Sequence, residues 1–132
     1  MKVTYSSKLY LGFIYTILAI FIYINGTTLL LGNLFAILPI SIQIAVLINL
    51  ISKSKYVKWF VKGWALFFII GNGLQLLGQM LFLISDAQDK INYNRIIENS
   101  LMTTIGAFIF IFCDRSIELS TEDGNETDKT IN

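Results

Sequence analysis

Few side chains in this sequence could do chemistry, and most of those are amides. Asn72, Gln75 and Gln79 fall within GNGLQLLGQ, residues 71–79, in surroundings otherwise made of Phe, Ile and Leu. An amide donates and accepts hydrogen bonds but does not titrate, so these groups suit binding a polar solute or a neighbouring helix, not proton relay. At a helical step of about 100° per residue, Gly71, Gln75, Gly78 and Gln79 share one arc, with Asn72 beside it. Trp64, Phe68 and Phe82 extend the same face toward its two ends. Small residues admit a second backbone and amides bond across the contact, each such bond contributing about 0.6 kcal/mol in membrane bundles. The spacing therefore predicts a helix-packing face, with Asn33 and Gln43 of the preceding apolar run opposite it. The other use of the same residues is the wall of a polar path.

Glu98 is the one carboxylate that falls inside an expected span, and an intramembrane carboxylate is a functional candidate. It lies one turn, roughly 5 Å, inside the start of its helix. Arg95 stands three residues earlier, and a helix N-terminus favours negative charge. The pattern points to a boundary ion pair ahead of a proton site. Beyond it the chemistry thins out. There is no histidine and only one cysteine, Cys113, which removes the usual general base, the commonest metal ligand and any internal disulfide. No phosphate loop, serine elbow or metal-ligand cluster is present. The expectation is a protein that is not an enzyme and takes no cofactor or metal. A net charge of +1 offers nothing for nucleic acid.

The elements that must position these groups are membrane spans. Of 132 residues, 55% are hydrophobic and 14% charged, against about 25% charged in soluble domains. Charges cluster at the N-terminus and around residues 53–62, 86–98 and 114 onward. Four apolar runs lie between or beside them, at about 9–24, 29–51, 64–85 and 96–113. The fold class expected is all-α: one membrane domain over residues 1–116, a bundle of four transmembrane helices. Residues 117–132, acidic and poor in large apolar groups, are expected to be a disordered tail. Asn25-Gly26 reads as the turn of a tight hairpin between the first two helices. Pro39, the single proline, predicts a kink in helix two near mid-membrane. The bulky first span lacks a small-residue cleavage site and reads as an uncleaved helix.

The segment SKSKYVKWFVKGW, residues 52–64, spaces Lys55, Lys58 and Lys62 along one helical face. Trp59 lies on the other, with Trp64 at the end of the segment. This is a lipid-interface pattern, suited to anionic lipid at the cytoplasmic face. With the N-terminus inside, eight of the ten basic residues fall on the inner side, which predicts both termini cytoplasmic, in a bacterial inner membrane. Two functional expectations follow. The first is an accessory, interaction or immunity-type subunit that contacts a membrane partner or a second copy through its small and polar face. The second is a small dimeric transporter or channel for a polar or cationic solute. In chain length and helix number the chain resembles the small multidrug exporters. That family keeps an essential glutamate in its first helix, where residues 9–24 here carry no acidic side chain.

Overall fold

The computed structural model describes residues 2–85 and 91–120. It is an all-α bundle of four helices, each long and apolar enough to cross a membrane. In chain order these are α1 (Lys8–Leu30), α2 (Ile37–Ile51, preceded by a 3-10 turn, Leu34–Ala36), α3 (Val57–Ile84) and α4 (Tyr93–Ser116). Two short strands, β1 (Lys2–Tyr5) and β2 (Ile117–Ser120), flank the helices.

Helix α1 begins at Ser7, whose side chain accepts from the Tyr10 backbone N–H at 3.2 Å. It then runs straight through Asn25-Gly26, so the expected turn there is not made. Length explains the choice. A helix stopping at Ile24 would span about 25 Å, short of the roughly 30 Å of a hydrocarbon layer, whereas one reaching Leu30 spans about 34 Å. Thr27 and Thr28 bond back to the Ile24 carbonyl at 2.7 and 2.8 Å, which keeps their hydroxyls satisfied inside the helix. The chain turns instead at Gly32, whose φ of 92° lies in the left-handed region. The Gly32 N–H donates to Leu29 O at 2.9 Å and the Asn33 N–H to Thr28 O at 3.2 Å, the paired closure that a glycine permits at a helix C-terminus.

Asn33 accepts from the Phe35 N–H at 3.1 Å and so starts the 3-10 turn. Pro39 then occupies the first turn of α2, where its missing N–H removes no internal bond. The backbone irregularity expected at mid-span is therefore found at the junction between the 3-10 turn and α2. Helix α3, with 28 residues, starts seven residues before the expected 64 and absorbs half of the lysine-rich segment. At about 1.5 Å per residue it reaches some 42 Å, longer than a hydrocarbon layer needs. A helix of that length tilts across the layer or extends past it.

The two strands add a second kind of element to the expected helices. They pair antiparallel, Lys2 opposite Ser120 and Tyr5 opposite Ile117, and bring both ends of the described chain to one end of the bundle. Residues 117–120, expected within a disordered tail, are thus ordered in β2, while 121–132 lie outside the described residues. Val3 and Ile117 are buried, and Tyr5 donates from its hydroxyl to Leu50 O at 2.6 Å.

The core gathers at this terminal end. Ile14 and Leu18 of α1, Val46 and Leu50 of α2, Val57, Val61 and Ala65 of α3, and Ile109 and Cys113 of α4 are all fully buried or nearly so. Toward the opposite end burial falls away, and α1 with α2 parts from α3 to leave a cleft.

Candidate functional site

That cleft, about 240 Å³ in volume, is where the structure brings polar groups together inside the spanning region. Asn25 from α1, Gln43 from α2 and Asn72 from α3 line it, with Phe21, Trp64, Phe67 and Phe68 forming an aromatic wall. The long α1 places Asn25 here: held in a helix instead of a turn, its Nδ2 donates to Gln43 Oε1 at 3.4 Å. Gln43 is only 3% exposed. Asn72 turns its Nδ2 onto its own helix, donating to Phe68 O at 3.0 Å, so its Oδ1 has no such duty. The rings of Phe21 and Phe68 meet edge to face at 5.0 Å, as do Trp64 and Phe68 at 5.2 Å, an arrangement that favours rigid aromatic walls.

The packing face expected on 71–79 is rearranged. Gly71 and Gln75 point outward, and Asn72, Gly78 and Gln79 are half-buried. A Cβ added at Gly71, Gly73 or Gly78 would meet nothing within 4 Å, so no second backbone among the described residues approaches these glycines. The face of α3 that meets α4 carries Val61, Ala65, Phe68 and Ile69 instead. The close approach is made by Gly106 of α4, where a Cβ would stand 2.8 Å from Phe68 Cβ and 3.0 Å from Ala65 O. Gln79 joins α3 to the start of α4, its Oε1 accepting from the Asn92 N–H at 3.1 Å. Asn33 serves as the cap described above and does not reach the cleft lining. Of the amides expected on the seam, Gln43 and Asn72 alone meet at one site.

Arg95 and Glu98 are both exposed, and the expected pair between them does not form: the ion pairs among the described residues join Lys58 and Lys62 to Asp114, at 3.6 and 2.6 Å. Arg95 instead gives its backbone N–H to the Asn92 side chain at 3.2 Å, and the two charged side chains spread outward from the first turn. The interface set also divides. Lys55 and Trp59 face outward, Lys58 and Lys62 turn to α4, and Trp64 is buried in the core. Trp64 belongs on the cleft wall because α3 starts early, which places it about 10 Å along the helix.

Three residues outside the expected set matter here. Asn25 was hidden by its turn-like neighbour Gly26; its polarity within an unbroken apolar run was the signal. Gly106 was hidden because a lone glycine in a span carries no pattern. Asn99 of α4 is 5% exposed and its Nδ2 has no hydrogen-bond partner among the described residues. Among the described residues no three acidic, cysteine or histidine side chains gather to hold a metal ion. Searches of protein-family models, curated proteins and solved structures return no match to this chain. Geometry alone carries the functional reading.

Proposed function

We propose that this chain is a non-enzymatic accessory or interaction subunit of a bacterial inner membrane, with both termini cytoplasmic, that docks a partner helix on the outward face of α3. The observation that carries this reading is Gln75: it points away from the bundle beside Gly71, and its side chain makes no hydrogen bond to a described residue. In hydrocarbon an amide left without a partner costs several kcal/mol. A neighbouring helix relieves that cost, and Gly71 leaves room for its backbone. At the terminal end, Lys55 and Trp59 remain directed outward, where anionic headgroups would meet them.

The test is Gln75→Leu, alone and with Gly71→Leu, in protein purified from its native membrane. Loss of co-purifying partner or of self-association, with the thermal stability of the chain retained, is the expected result. An unchanged complex in the double variant would sink the reading. The second reading, a small dimeric transporter or channel for a polar or cationic solute, is favoured by the amide-lined cleft. Its support is weaker because no carboxylate lines that cleft. Reconstituted vesicles distinguish the two: flux abolished by Asn72→Leu in an intact complex belongs to the transporter.

A further inference from the structure

The cleft between α1, α2 and α3 has three properties that together select a guest. First, it offers a donor. The hydrogen bond that the Gln43 side chain makes among the described residues is the one its Oε1 accepts from Asn25, so both Nε2 hydrogens remain for whatever fills the cleft that this residue lines. A donor facing an apolar cleft calls for an acceptor, because a hydrogen bond left unmade away from water is costly. Second, the wall is largely aromatic, and no charged side chain contributes to it. An ion would enter without a counter-charge into a low dielectric, which is strongly unfavourable. Third, two lining residues at the rim, Leu38 and Phe67, are 64% and 61% exposed. The mouth thus opens sideways between α2 and α3, toward the region where hydrocarbon lies.

We propose that this cleft binds an uncharged, membrane-dissolved molecule with a planar ring bearing carbonyl oxygens, of the quinone type. A ring carbonyl accepts from Gln43 Nε2, and the ring face lies against Trp64 and Phe68. A volume of about 240 Å³ holds one such ring, and any apolar tail leaves through the gap between Leu38 and Phe67. A saturated acyl chain fills the same space but leaves the Gln43 donor unmet, so it binds less well. The site is distinct from the Gly71 and Gln75 face, and either assignment can fail without the other.

Trp64 reports directly on this cleft, and Trp59 is the other tryptophan of the chain. With Trp59→Phe as background, the full chain in phosphatidylcholine nanodiscs is titrated with decylubiquinone while Trp64 fluorescence is followed. The expected result is saturable quenching, with the half-saturation concentration raised about tenfold by Gln43→Leu, the loss of one buried hydrogen bond. Phe67→Ala, at an outward position on the cleft rim, is expected to weaken binding independently. It keeps the test decisive if Gln43→Leu does not fold. Quenching that rises linearly without saturation, and equally in both variants, reports partition into lipid and overturns the proposal. So does saturable, Gln43-dependent quenching by tetraphenylphosphonium in the absence of any by the quinone.

Discussion

One methyl group separates the roles of the glycines in α3 and α4. Gly106→Ala places a Cβ against backbone and Cβ atoms that have no freedom to retreat, so the α3–α4 seam must open. The expected cost is about 1–3 kcal/mol, the usual penalty of overpacking, read as a lower denaturation midpoint in detergent. Gly71→Ala meets open space and gains up to about 1 kcal/mol of helix propensity, so its midpoint is expected to hold or rise. Asn99 makes a second case. Replacing it by leucine removes a buried donor that has no partner, and the variant is expected to be as stable as the parent or more so. A loss of several kcal/mol would show that this amide has a partner after all. The 71–79 amides show what a wheel can and cannot deliver. Their spacing was legible, but which arc of α3 meets α4 was not. The seam is set by where Gly106 fits, a property of two helices at once, and it lies about one residue's step around α3 from the arc that spacing alone selects.

At the scale of elements, the four spans were readable because absence of charge over a long run has one cheap explanation. Their ends were not. Asn25-Gly26 and Gly32-Asn33 are equally able to turn, and span length decides between them, assisted by the bond that Asn25 finds on Gln43. The strands escaped notice because four residues at each terminus show little alternation, and their partners lie more than a hundred residues apart. The β1–β2 strap carries a pH prediction. Burial, with a smaller contribution from Tyr15, pushes the Tyr5 hydroxyl above its ordinary value of 10. The folded state therefore favours the protonated form that donates to Leu50 O. Its contribution to stability is complete below pH 10 and is lost as pH climbs through the raised value. Unfolding midpoints of the parent and Tyr5→Phe are expected to differ near neutrality and to converge in strong alkali. Parallel curves across that range would remove Tyr5 from the strap's stability.

For the molecule as a whole, burial is lopsided: a dense terminal end, and an opposite end where the hairpin of α1 and α2 stands off from α3. Both proposed contacts, the cleft and the Gly71–Gln75 face, occur where packing is loosest, which is where a bundle has groups to spare for others. The proposed orientation is open to a direct measurement. In a Cys113→Ser background, a cysteine at Lys55 is expected to label from the cytoplasmic side and one at Asn33 from the other. The reverse pattern would invert the topology.

The strap also has a bearing on how the chain is made. Residue 2 is synthesised before α1, yet its partner is residue 120, so the ladder cannot close until α4 has been synthesised and placed. Through all of that time Val3 and Tyr5 lack the strand that covers them. A chain in which α4 is not in place leaves that segment uncovered. The β1–β2 ladder therefore closes only once all four described helices have been made.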